Sequence, residues 1–192
     1  CEENQLLHGQ KVDVIALAEN TPYYTDELVG RVDPSKFVNE IEVPVFFASA
    51  WQDEQTGPFF FPLLDRFTSA PITRLNIYNG VHVDGFAPQI LVEWKTFLDI
   101  YVSEEVPAID PLIRNLAPQL FGTIFDQAME LPPDRFADFD TWEEAKEAFE
   151  AEDPLRVLFE DGGGIVNEDE ELESVGATVA RFERRFTSWP PE

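Results

Sequence analysis

Two segments, VPVFFASAWQDEQTG at residues 43–57 and TRLNIYNGVHVDGF at residues 73–86, decide the fold. The first is a continuous apolar run through Ala50, with β-branched and aromatic members and Pro44 near its start. That pattern fits a strand covered on both faces. The second alternates apolar and polar residues up to Tyr78 and is stopped by Asn79-Gly80. Between them FFFPLLDRF, residues 59–67, reads as a short crossover helix with Pro62 in its first turns. Strand, acidic loop, helix, strand and His loop is the order of the last third of an α/β sheet enzyme. In open α/β sheets the working groups sit just beyond the carboxyl ends of strands. Asp53 and His82 both occupy such places.

Working outward, the amino-terminal part begins polar and continues as KVDVIALAEN, where VDVIALA suits either a short strand or a helical turn. Thr21-Pro22 and Asp33-Pro34 each suit a helix start. On the carboxyl side, residues 88–102 carry Ile90, Leu91, Trp94, Phe97, Leu98 and Tyr101 at helical spacing, which predicts one broad apolar face packed on the sheet. Pro107 confirms its stop. Residues 112–152 read as looser helical material. Leu116, Leu120, Phe121, Ile124, Phe125 and Met129 are spaced for one face, and DTWEEAKEAFEAED forms a surface helix capped by Asp140 or Thr141. PLRVLFEDGGG, an acidic loop NEDEELES and ATVARFERRF then read as strand, turn and strand. Two strands cannot bury a face alone, so this end is expected to open a separate β domain. The predicted division is residues 1–104, the sheet and its helices; 105–152, a helical connection; and 153–192, the first strands of a β-sandwich.

Composition narrows the function. Thirteen basic against 38 acidic side chains give a formal charge of −25. Such a field repels nucleic-acid phosphates and anionic lipid surfaces, so neither is expected as a partner. The apolar share of 44% supports a real core rather than global disorder. No apolar run is long enough to span a bilayer. Cys1 is the only cysteine, which excludes an internal disulfide and a multi-cysteine metal site within these residues. Because Cys1 rather than Met opens the chain in a polar segment, the chain is expected to be a fragment of a longer protein.

The chemistry concentrates in Asp53 and His82. A catalytic imidazole must accept a nucleophile's proton and return it to the leaving group. A carboxylate beside it fixes one tautomer and stabilises the imidazolium. Alone, Asp53 would be a turn carboxylate and His82 a structural imidazole. It is the pair, on adjacent strand ends and in the order acid then His, that points to catalysis. Trp51 and Phe86 flank these loops and are candidates for an aromatic wall of the substrate pocket. Ordinary packing at a sheet edge is the alternative for both. Asp84 reads as a surface-turn carboxylate, with orienting His82 or its loop as the alternative. Asp161 with Gly162 to Gly164 and the acids from Glu168 to Glu173 do not follow the ligand spacing of an EF-hand, so a solvated acidic loop is expected rather than a metal site. His8 belongs to no motif. No glycine-rich phosphate loop is present, and no nucleotide cofactor is expected.

IEVPVFFASAWQDEQTG and NGVHVDGFAP resemble the acid and histidine loops of the cocaine esterase and X-prolyl dipeptidyl aminopeptidase family of serine hydrolases. The resemblance places Asp53 at the catalytic aspartate and His82 at the catalytic histidine. PLRVLFEDGGG and FERRFTSWPPE resemble the opening of the jelly-roll domain that follows the hydrolase domain in that family. The implied fold is the carboxyl-terminal part of an α/β-hydrolase domain, a helical connection and the first jelly-roll strands. The implied substrate is a small ester or peptide, and relatives of this kind are often exported from the cytoplasm. One departure stands out. No G-x-S-x-G elbow occurs, and Ser35, Ser49, Ser69, Ser103, Ser174 and Ser188 all lack its glycine framing. The nucleophile is therefore expected upstream of Cys1, and this chain alone is expected to be inactive. An acyltransferase could use the same triad. A non-enzymatic acidic binding domain is the rival from another class; in it Asp53 and His82 would be merely structural, whereas the catalytic reading needs the Asp53 carboxylate within hydrogen-bond reach of a His82 ring nitrogen.

Overall fold

The computed structural model describes residues 13–23, 25–30, 33–159, 165–166, 172–174, 180 and 182–191. Two compact units divide the chain, Cys1–Phe37 and Val38–Glu192.

In the first unit helix α1 spans Val14–Asn20 and helix α2 Asp26–Val29. Asp13 caps α1 by accepting the Ala16 N–H at 2.9 Å. From Val14 to Ala18 the VDVIALA stretch is thus helical. Thr21 lies at the helix end rather than at a start. The cause is Pro22, which disfavours helical backbone at the residue before it. Asp33 does open a turn, the 3₁₀ segment Pro34–Lys36, by accepting the Ser35 N–H at 2.9 Å.

The second unit is mixed α/β. Strands β1 (Val45–Ala50), β2 (Thr73–Tyr78), β3 (Leu155–Phe159) and β6 (Phe182–Phe186) form one sheet in the order β1-β2-β3-β6. The first three run parallel, and β6 pairs antiparallel with β3. A short antiparallel pair, β4 (Ile165–Val166) and β5 (Leu172–Ser174), lies between β3 and β6 in sequence. The glycine-rich turn and most of the acidic loop lie outside the described residues.

Each face of the sheet has its own core. Leu75, Ile77, Leu155 and Val157 meet Phe60 and Leu64 on one face, with Phe47, Phe61 and Trp189 at its margin. On the other, helix α3 (Pro88–Leu98) brings Ile90 to Ala50, Tyr78 and Leu158, and Phe97 joins Ile100, Phe136 and Phe149. Helix α4 (Pro111–Phe125) packs Ala117, Phe121 and Phe125 against Ala87 and Met129. Helix α5 (Trp142–Ala151) is capped by Thr141, whose hydroxyl accepts the Glu144 N–H.

In the second unit four expectations about the elements and their packing are corrected. First, the described part of residues 153–192 does not open a separate sandwich, because β3 and β6 extend the sheet that holds β1 and β2. The reason is burial. Every residue of β2 after Thr73 is buried, so its second edge needs a partner, and β3 is buried from Leu155 to Leu158. Second, the crossover between β1 and β2 shrinks to one 3₁₀ turn, Phe61–Leu63, flanked by turns. Pro58 and Pro62 cannot supply helical N–H donors, and nine residues are too few to nucleate a helix without strong propensity. Third, α3 buries Val92, Glu93 and Thr96 on its inner side and leaves Trp94 exposed, while Tyr101 lies beyond it in a π-turn, Asp99–Ser103. Fourth, α4 buries Ala117, Phe121 and Phe125, whereas Leu116, Leu120 and Ile124 face outward.

Candidate functional site

Parallel pairing from Val45↔Thr73 to Ala50↔Tyr78 brings the carboxyl ends of β1 and β2 level. The ladder continues past both strands. The Trp51 N–H donates to the Tyr78 carbonyl and the Gln52 N–H to the Gly80 carbonyl, each at 3.0 Å. The Gln52 side-chain amide adds a bond to Asn79 Oδ1 at 2.8 Å. The chain then splits into two loops, one opening at Asp53 and the other at His82.

Their side chains meet. Asp53 Oδ2 and His82 Nδ1 are 2.8 Å apart. The other carboxylate oxygen, Oδ1, accepts the N–H groups of Gln55 and Thr56, both at 2.8 Å. Gly57 closes that turn, donating its N–H to the Asp53 carbonyl at 2.8 Å with φ at +56°, a conformation suited to glycine. The Thr56 N–H and then the His82 ring pull the Asp53 carboxyl down to about 2 against a smaller opposing effect of burial. Asp53 is therefore ionised near neutral pH and can only accept. The proton of the shared bond belongs to His82 Nδ1, and in a neutral ring Nε2 is left as a base. The Asp53 side chain is 10% exposed and that of His82 51%, so the acid is covered and the imidazole accessible.

Two carboxylates besides Asp53 shape the His loop: Glu54, which the sequence did not single out, and Asp84. Glu54 Oε2 accepts the backbone N–H of His82 at 3.0 Å, and this bond holds its carboxyl below the ordinary range. Asp84, read as a surface carboxylate, is buried. Its Oδ2 accepts the Val81 N–H at 2.8 Å and ties down the 3₁₀ turn His82–Phe86. Asp53 itself serves its own loop as well as the imidazole. Beneath the turn lies the Tyr78 hydroxyl, pushed up to about 12 by burial and by the negative charges of Asp84 and Asp53. Gly85 makes room for it, since a Cβ there would stand 3.0 Å from that oxygen. A capping-type spacing, an acid three residues after Val81, which precedes the turn as its cap, was the available sequence signal for Asp84. None existed for Glu54, whose partner is fixed only by the register of β1 on β2.

The two aromatic candidates differ. Trp51 packs on Phe61 with ring centroids 4.4 Å apart and on Phe60 at 6.2 Å, so part of its surface is committed to the core beside β1. Phe86 ends the His turn with 56% of its surface exposed. An apolar groove of about 460 Å³ lies between α3 and α4, lined by Leu91, Trp94, Leu98, Ile113, Leu120 and Ile124 among others, and none of the four candidate residues lines it. The Asp53–His82 pair stands at the strand ends and not in that groove. Among the described residues no three His, Cys, Asp or Glu side chains converge as metal ligands, and no helix is long and apolar enough to cross a membrane.

As arranged, the pair can take a proton on Nε2 and hold the resulting imidazolium beside a carboxylate. Compared with known proteins, the chain matches no family model, no curated protein and no solved structure.

Proposed function

We propose that this chain supplies the acid and the base of a serine acyl hydrolase, as the carboxyl-terminal part of an enzyme of the cocaine esterase and X-prolyl dipeptidyl aminopeptidase type. The observation that carries the reading is the 2.8 Å contact between Asp53 Oδ2 and His82 Nδ1 at the carboxyl ends of two neighbouring parallel strands. In a non-enzymatic acidic domain the same contact would only tie the two loops together.

In the proposed reaction a serine hydroxyl from another segment attacks the acyl carbonyl of an ester or amide, and His82 Nε2 takes its proton. The tetrahedral adduct collapses to an acyl-serine as His82 returns that proton to the departing alcohol or amine. Water then attacks the acyl-serine with His82 again as base, and the acid is released. Asp53 keeps Nδ1 protonated and stabilises the imidazolium in both halves. With no G-x-S-x-G in the 192 residues, the chain by itself forms no acyl-enzyme.

A chromogenic acyl ester tests the reading. Turnover is expected from a longer protein that joins this chain to a segment bearing the serine elbow, and it is lost with His82→Ala. The 192-residue chain alone shows none. Robust turnover by the chain alone, or turnover by the longer protein that survives His82→Ala, would overturn the proposal.

A further inference from the structure

We infer that Glu54 is a positioning residue for the Asp53–His82 pair, holding the backbone of His82 while Asp53 holds its ring. Its catalytic meaning rests on the hydrolase reading above; its geometry does not.

Backbone pairing zips the two loops together only as far as Gln52 and Gly80. Beyond that point the described links between them are made by side chains. Asp53 grips the imidazole at Nδ1, and Glu54 accepts the main-chain N–H of the same residue at 3.0 Å. A ring held at one nitrogen can still swing if its backbone shifts. A second bond at the amide removes that freedom, as outer hydrogen bonds do for other functional imidazoles. The cost is the placement of two adjacent carboxylates at one histidine, with a third, Asp84, bonded one residue earlier to the Val81 N–H. Mutual repulsion of Asp53 and Glu54 works against this arrangement. The His82 N–H offsets it, and the imidazole is the positive partner when protonated.

The experiment follows the Asp53 carboxyl by carbon-13 NMR through an acid titration of the 192-residue chain, in the wild type, Glu54→Ala and Glu54→Gln. The wild type is expected to titrate at about 2. Glu54→Ala lets the His loop drift, and the Asp53 midpoint rises by about one pH unit toward the ordinary carboxylate range. Loss of a neighbouring negative charge alone would move it the opposite way, because like charges raise a carboxyl. Glu54→Gln keeps an acceptor for the His82 N–H and stays near the wild-type value or below it. A midpoint in Glu54→Ala that is unchanged or lower overturns the inference, and so does a rise in Glu54→Gln equal to that in Glu54→Ala. Glu54 is exposed, so both variants retain the core. The titration needs no turnover. A longer protein without esterase activity would remove the hydrolase reading and leave this result standing, whereas a flat Glu54→Ala titration would remove the positioning role alone.

Discussion

Replacing Glu93 by alanine should destabilise the fold by about 3 kcal/mol, roughly a hundredfold in the folding constant. Glu93 lies on α3, the helix that follows the His loop, and its side chain is 2% exposed. Arg135 grips it with two bonds, Nη1 to Oε2 at 2.6 Å and Nη2 to Oε1 at 3.1 Å. Arg185 and Arg156 stand within 3.7 and 3.8 Å of its oxygens. Breaking a buried pair by removing one partner costs about 3–5 kcal/mol because a charge is left uncompensated. The lower end applies here. Arg135 keeps Glu152 at 2.9 and 3.0 Å, Arg185 keeps Glu152 at 3.2 Å, and Arg156 keeps Glu183 at 2.7 Å. Burial pushes the Glu93 carboxyl up, but the hydrogen bonds and charge of Arg135, with Arg156 and Arg185, outweigh it and leave the group below its ordinary value. A folded value below the unfolded one gives stability that is present above about pH 4.3 and lost as pH falls through the folded value. Urea unfolding followed by far-ultraviolet circular dichroism and tryptophan fluorescence would read both effects. At pH 7 the variant should unfold at lower urea with an unchanged slope, and its stability should lose the acid-side dependence contributed by Glu93. A loss under about 1 kcal/mol at pH 7 would refute the view that this cluster clamps α3 to the sheet.

Phe149→Ala should cost about 4 kcal/mol in the same unfolding assay, since Phe149 is fully buried between Phe136 and Tyr101 and carries the Arg74 guanidinium 4.3 Å above its ring. A loss below about 2 kcal/mol would show that the site collapses or that this cluster is loosely packed. Gly57→Ala should lose about 1 kcal/mol, because φ at +56° suits glycine, and Gly57→Asn should lose less. Equal effects of the two substitutions would place the cost elsewhere than in backbone strain. With Asp53 held at about 2 by the Thr56 N–H and the His82 ring, its bond to the imidazole should persist from neutral pH downward and break only as pH falls through about 2. Loss of the His82–Asp53 contact already at pH 4, read from the imidazole nitrogen shifts, would contradict that.

The strands β1 and β2 were legible because a continuous apolar run and an alternating one are local patterns, and the loops after them followed at once. Asp53 and His82 were legible for the same reason, as polar groups placed just past such runs. What failed depended on distant partners. Glu93 looks like a surface acid on α3 until Arg135, Arg156 and Arg185 are brought to it from far along the chain, and Trp94 takes the outer place that the apolar pattern denied it. The strand Leu155–Phe159 was legible as a strand, but its neighbour was not. The run of residues is the same whether it founds a new sheet or fills the free edge of β2. FFFPLLDRF carried enough apolar residues for a helix, yet its prolines and its shortness left a single 3₁₀ turn whose aromatics still reach the core. Glu54 was hidden by its neighbour, because nothing local distinguishes it from any other acid in a loop.

All of the proposed chemistry depends on Asp53 making His82 a base at Nε2 by holding the proton on Nδ1. Nitrogen-15 NMR of the imidazole in the alkaline range measures this directly, in the wild type and in Asp53→Ala. The wild-type ring is expected to be protonated at Nδ1 and bare at Nε2, with the variant shifting toward the opposite tautomer. A wild-type ring carrying its proton on Nε2, or spectra that do not change when Asp53 is removed, would contradict it.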